Sequence, residues 1–245
     1  MFSVGLGRIA ALGFRLVITA PAESRTFARG LRRFPERRVD PVAPASWDEA
    51  YRQFRGGGDL PLDRGSWRIL AVDPEGGVAG AITARFFCGE VVRSYVHAYS
   101  LLEGSGPVFR DECELAIAET FAGAVRENRT AAEISHWTVA DGRHAVLVAA
   151  TLGRAMEALS AAFDAPVGVV AANHRRREVG RLLRLGGVPL GRAGKFSLPP
   201  FPHHPSGAWF RLMLIDAEAF RGRLRAAAIA DLARLRTHCP IFSAA

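Results

Sequence analysis

Residues 133–139 read EISHWTV, residues 141–144 DGRH, residues 145–163 AVLVAATLGRAMEALSAAF and residues 165–187 APVGVVAANHRRREVGRLLRLGG. Alternation and β-branching in the first segment, an apolar run of helical length in the third and the VGVV that opens the fourth predict strand, helix, strand, helix. A helix between two strands makes a crossover, and a crossover makes the strands parallel by default. The expected parallel pair is 133–139 with 166–172, in an α/β domain.

The helix over 145–163 carries only Arg154 and Glu157 as charges, so most of its sides must be buried. Its N-terminus is then fixed by the core. Gly142, Arg143 and His144 lie where the free N–H groups and the positive end of the helix dipole would meet a pyrophosphate or a phosphopantetheine phosphate. The same residues also read as an ordinary polar turn at a helix start.

Working outward, Phe14 to Ala20 reads as a first strand and Glu23 to Phe34 as a basic amphipathic helix ended by Pro35. A short helix over 46–54 follows, with Ser46 as its N-cap. Trp67 to Val72 and Val78 to Phe87 form a hairpin around DPEGG, a sequence rich in turn residues. Val91 to Leu102 alternates as a strand. Val108 to Glu127 has helical spacing, with Leu115, Ala118, Ala122 and Val125 as its apolar stripe. Lys195 to Gly207 is a proline-rich loop, Trp209 to Ile215 a last strand, and Ala217 to Arg236 a terminal helix.

These segments, in this order, resemble the GNAT acyltransferase superfamily over roughly residues 14 to 215. Within it they are most similar to the branch of acyl-homoserine-lactone synthases and N-acyl amino acid synthases, in which an E-[IV]-S-R-x-x-V strand precedes the long helix. The resemblance implies a mixed, mostly antiparallel α+β sheet flanked by helices, with a splayed parallel strand pair. It places an acyltransferase domain at 1–215 and a C-terminal helix and tail, packed on the domain or on a partner, at 216–245.

The implied activity is transfer of an acyl group from an acyl-carrier-protein or acyl-CoA thioester to a small amine such as an amino acid. No cofactor would be tightly bound; acyl-CoA or an acyl-phosphopantetheine carrier would be a co-substrate. The alternative is a catalytically inactive module that binds acyl thioesters or acyl carriers. Two departures from the family favour it. The usual R/Q-x-x-G-x-G/A loop is replaced by Arg143 followed by His, Ala, Val, Leu and Val, and Leu182 stands where many members place a tyrosine acid.

Strand alternation puts Glu133, Ser135 and Trp137 on one face and Ile134, His136 and Thr138 on the other. A carboxylate and an imidazole on opposite faces serve one site only if a bulge re-aims one of them, and such a bulge is what the resemblance implies. The catalytic candidates are Glu133 and His136, the latter standing where the lactone-synthase branch usually has arginine. A neutral imidazole can take a proton from an attacking amine; a lone histidine in a strand is also commonly a hydrogen-bonded core residue. Trp137, Val139, Gly142, Arg143, His144, Asn173, Arg175 and Arg176 are the candidates for binding the donor.

Arg177, Arg181 and Arg184 recur at spacings of four and three on one face of the last helix in the run, with Val179, Leu182 and Leu183 as its buried stripe. Cations in a first helical turn are disfavoured by the dipole, so Arg175 to Arg177 call for an anionic ligand or an acidic partner, unless they form a plain solvated face. An acidic acyl carrier protein is the candidate partner.

Composition narrows the classes. The chain has 245 residues, 49% hydrophobic and 23% charged, as in ordinary globular domains. Its net charge of +8 is almost wholly arginine, with Lys195 the only lysine. No aromatic-interleaved basic motif or recognition helix accompanies that charge, so no nucleic-acid partner is expected. Cys88, Cys113 and Cys239 form no C-x-x-C pair, which suits a reducing, cytoplasmic setting. His203 and His204 have no further ligand at metal spacing, so no metal is expected. Arg8 and Arg15 interrupt the apolar N-terminal stretch, so neither a signal peptide nor an integral membrane segment is expected. No G-x-S-x-G, H-E-x-x-H or Walker motif occurs.

Overall fold

The computed structural model describes residues 6–20, 47–56, 65–87, 96–163, 165, 167–174, 178–184, 186–192, 197–216 and 241–243. In chain order its elements are α1 (Leu6–Ala10), β1 (Arg15–Ala20), α2 (Trp47–Phe54), β2 (Trp67–Val72), β3 (Val78–Phe87), α3 (His97–Leu101), α4 (Pro107–Arg126), β4 (Ala131–Val139), α5 (Ala145–Ala162), β5 (Val167–Asn173), α6 (Glu178–Arg184), β6 (Val188–Pro189), β7 (Phe201–His203), β8 (Ala208–Asp216) and β9 (Ile241–Ser243). The strands make a mixed, mostly antiparallel sheet with flanking helices. The chain divides into two units, one of residues 1–85, 136–163 and 226–245, the other of residues 86–135 and 164–225. Strand β4 contributes residues to both.

The first unit grows from the β2–β3 hairpin. Its turn is closed by Asp73, whose N–H donates to the Gly77 carbonyl at 2.9 Å and whose Oδ1 accepts the Gly77 N–H at 2.7 Å. Gly76 takes φ +90 there, a conformation that an L side chain resists. All six residues of β2 are buried, because both faces of the strand are covered. On one face Leu70 and Val72 pack with Val17, Ala81 and the α2 residues Trp47 and Tyr51. On the other, Trp67 meets Phe163 edge to face at 4.9 Å, and Gly80 lies so close to α5 that a Cβ there would stand 2.9 Å from Val148 Cγ1.

β1 pairs antiparallel with β2 and parallel with β9. Arg68 belongs to the α2 face. It is buried, ion-paired with Asp48, and its guanidinium lies 5.1 Å from the centre of the Tyr51 ring. Burial pushes the Tyr51 hydroxyl pKa up, against the opposing pull of Arg55 and Arg68, so the phenol stays neutral.

In the second unit β5 is the pivot. It pairs parallel with β4 from Ala131↔Val167 to Ile134↔Val170 and antiparallel with β8 along its whole length, Val167↔Asp216 to Asn173↔Phe210. The crossover read from the sequence therefore gives the expected parallel pair. β6 and β7 both pair with β8. The core joins Phe87, Cys113, Ile117 and Phe121 to Val169, Phe201 and Leu212.

Three expectations change. α4 is present over Pro107–Arg126, but its buried stripe is Cys113, Ala116, Ile117, Phe121 and Ala124. Leu115, Ala118 and Ala122 are exposed, because the larger Ile117 and Phe121 decide which face turns inward. His97–Leu101 is helical where a strand was expected; a carboxylate holding its first N–H groups supplies the reason, given below. Leu183 is 48% exposed while Val179 and Leu182 are buried, since a helix of only two turns has one inward face. α6 is described over Glu178–Arg184, with Glu178 as an acidic first-turn residue that suits the dipole; Arg175 to Arg177, on which the first-turn expectation rests, lie outside the described residues. The helices expected at 23–34 and 217–236, residues 91–95 and Ser46 lie outside the described residues.

α5 is long and apolar enough to cross a membrane by composition alone. It is instead a core helix, with Leu152, Ala155, Met156 and Leu159 among its buried residues.

Candidate functional site

The break in β4 defines the site. His136 has φ +50 in the middle of a strand, a left-handed backbone that histidine adopts more readily than a β-branched residue would. Pairing with β5 ends two residues earlier, at Ile134↔Val170, while β5 goes on pairing with β8 to Asn173. The backbone irregularity implied by the resemblance thus falls on the candidate catalytic histidine. Within the first unit the imidazole comes back onto the α2 face, where its Nδ1 lies 3.3 Å from Thr83 Oγ1. Thr83 is 2% exposed and stands directly opposite Arg68 in the β2–β3 register.

Trp137 packs on the opposite side, against α5. A Cβ on Gly153 would lie 3.0 Å from two atoms of the indole ring, so the glycine is what lets the ring lie against the helix. A glycine in a helix interior costs about 1 kcal/mol relative to alanine, and this contact explains its presence. The indole Nε1 is buried and makes no hydrogen bond among the described residues.

Glu133 belongs to the second unit and is 3% exposed. Its Oε2 accepts the His97 N–H at 2.9 Å and its Oε1 the Ala98 N–H at 2.6 Å. The carboxylate thereby satisfies two N–H groups at the start of α3, and this is why 97–101 coils. Both oxygens are engaged by backbone, a geometry that suits an anchor better than a proton acceptor.

Val139, Gly142, Arg143 and His144 line one cleft of about 400 Å3 in the first unit. It forms because β4 ends at Val139, the Ala140 N–H is tied to the Ala79 carbonyl at 2.9 Å, and α5 then starts from a one-turn reversal. His144 is the N-cap residue of α5 but makes no side-chain capping bond; its ring meets Phe14 edge to face at 5.8 Å. The other wall carries Asp73 and Glu75 from the hairpin turn, and Asp141 stands beside Gly142. Three carboxylates against one guanidinium make a poor seat for a pyrophosphate, whatever the helix dipole contributes. Composition hid this, because a net +8 says nothing about where the acids gather.

Asn173 ends β5, with its N–H donating to Glu178 Oε2 at 2.7 Å. Arg175, Arg176 and Arg177 lie outside the described residues. Arg181 and Arg184 are on α6 by backbone, and their side chains also lie outside the described set. Among the described residues no group of histidine, cysteine and carboxylate side chains could hold a metal ion. Thr83 was missed by sequence reasoning. It is one threonine in a strand 53 residues before its histidine, and no local signal marks it.

No protein-family model matches the chain, and no curated protein does. Solved structures do. The chain is similar to TofI, in its apo form, with 15% identity, a TM-score of 0.46 and coverage of 80% of this chain and 94% of that one. It is similar to MesI, a CoA-dependent acyl-homoserine lactone synthase, at 15% identity and a TM-score of 0.43, covering 94% and 99%. Arylalkylamine N-acetyltransferase 2 from Aedes aegypti follows at 16% identity and a TM-score of 0.39, covering 83% and 99%. These neighbours include the kinds of protein that the sequence resembles. At such similarity they assign no chemistry to this chain.

Proposed function

We propose that this protein is an N-acyltransferase that moves an acyl group from a phosphopantetheine thioester, on a carrier protein or on coenzyme A, to a small amine such as an amino acid. The observation that carries the reading is His136 at φ +50 in β4, an imidazole presented at a break in the strand where backbone groups leave the ladder. In the reaction the amine nitrogen attacks the thioester carbonyl, a C–N bond forms, the C–S bond breaks and the thiolate leaves with the electron pair. His136 takes the proton from the attacking amine, and backbone N–H groups of the 136–139 segment hold the carbonyl oxygen. Glu133 serves as an anchor of α3 and does not take the proton.

The carboxylates of the cleft favour a donor that asks little of a phosphate site. A carrier protein offers one phosphate and an acidic surface, so we place its docking on Arg177, Arg181 and Arg184. Arg181→Glu with Arg184→Glu is expected to remove carrier binding and leave the fold intact. Release of free thiol from octanoyl carrier protein and octanoyl-CoA, each with a panel of amino acids and with mass detection of the N-acyl product, tests the activity.

Asp73, Glu75 and Asp141 also favour a second reading, a module that binds an acyl thioester without turning it over. Retention of an acyl carrier with no thiol released from either donor would establish that reading and overturn the first.

A further inference from the structure

We propose that Thr83 is a positioning residue: its hydroxyl accepts the His136 Nδ1–H and so holds the imidazole in the tautomer whose Nε2 takes the proton from the amine. The proposal deepens the acyltransferase reading and rests on it for the proton's destination, though not for the dyad itself.

Thr83 Oγ1 and His136 Nδ1 are 3.3 Å apart, at the long end for a hydrogen bond between them. Thr83 is fixed in the interior of β3, flanked in register by Ile69↔Ile82 and Trp67↔Ala84, and is 2% exposed. It shares its face with Ala81, Leu70, Val17 and the α2 residues Trp47 and Tyr51. A buried hydroxyl is costly unless it is hydrogen-bonded, and valine would fill the same volume with no such need.

The charge on that face explains why a hydroxyl does this task. Arg68, directly across from Thr83, is paired with Asp48 and covered by the Tyr51 ring; Arg55 acts on the same phenol, which burial keeps neutral. Asp48, the carboxylate described on this face, is thus committed to Arg68. A carboxylate at Nδ1 would orient the ring and also stabilise imidazolium, whereas a hydroxyl orients it without a charge and keeps the neutral base that the first step requires. The left-handed backbone at His136 and a partner on a rigid strand together fix both the ring's position and its tautomer.

Two measurements test this. In protein labelled with 15N-histidine, with His136→Asn used to assign the signal among the seven histidines, the wild type is expected to show Nδ1 protonated and Nε2 bare near pH 8. Thr83→Val should lose that preference and Thr83→Ser keep it. In thiol-release kinetics Thr83→Val should lower kcat about tenfold or more, a share of the 10²–10⁴ that a positioned base supplies, with KM for donor and amine little changed, and Thr83→Ser should recover most of it. An Nε2–H tautomer in the wild type, or Val and Ser variants that behave alike in kcat, would overturn the proposal. The tautomer is read on the wild type, so a poorly folding variant does not shield it. If no donor gives thiol release while the Nδ1–H tautomer depends on Thr83, the acyltransferase reading fails and the dyad stands.

Discussion

Glycine and alanine at position 136 separate the backbone role of this residue from its chemistry. Both substitutions remove the imidazole and its contact with Thr83, worth about 0.5–1.5 kcal/mol, so that loss cancels between them. The φ of +50 does not cancel. A Cβ in the left-handed region costs about 1–2 kcal/mol, which alanine retains and glycine escapes. Against this, glycine's greater freedom in the unfolded chain costs about 0.4–1 kcal/mol. His136→Gly should therefore be more stable than His136→Ala by about 0.5–1 kcal/mol, the reverse of the order in an ordinary strand, where glycine weakens the element. Urea denaturation reads this directly: with a slope of about 2–3 kcal/mol/M, the glycine variant's midpoint should lie about 0.3 M higher. Both variants should lose acyl transfer, so stability and activity move apart. A midpoint for His136→Ala equal to or above that of His136→Gly would refute the left-handed backbone at this position and, with it, the strand break on which the functional reading rests.

Gly153→Ala should destabilise the wild type, since overpacking against the Trp137 ring at 3.0 Å costs about 1–3 kcal/mol and outweighs the helix propensity gained. In a Trp137→Phe background the sign should reverse, and thermal melts of the four proteins give the coupling. Glu133→Gln should cost about 1.5–3 kcal/mol in a denaturant melt, because it weakens charge-assisted bonds to His97 and Ala98; a variant as stable as wild type yet inactive would return Glu133 to the catalytic role. The Cys113 thiol, pushed up to about 12 by burial and by Glu112 and Glu114, should resist iodoacetamide at pH 8 in the native state and react on unfolding, as peptide mapping would show. Because its folded pKa lies above the unfolded one, stability should fall as pH rises from about 9 towards 12, and Cys113→Ala should flatten that limb.

The hairpin Trp67–Val72 and Val78–Phe87 was legible to the residue, because DPEGG specifies its turn by local chemistry and β-branched residues flank it. The crossover from β4 through α5 to β5 was equally legible, since an apolar helix of that length has nowhere to go but the core. α4 was read with its stripe about one residue out of place. Spacing alone does not weigh Phe121 against Leu115, and packing does. Short pieces such as β6, β7 and β9 carry no periodicity and exist only because β8 and β1 offer them an edge.

At the site the division is sharper. The sequence by itself determined that a helix must start at residue 145, that Val139, Gly142, Arg143 and His144 must meet around that start, and that Glu133 and His136 cannot share a strand face without a break. Those are consequences of period and burial, which act over a few residues. Only the tertiary structure decided that the cleft's second wall is acidic, that Glu133 is bound to the first N–H groups of α3, and that His136 turns back to a threonine on another strand. Each of these depends on which distant segments the sheet sets side by side, and register across a sheet is fixed by the packing of its faces.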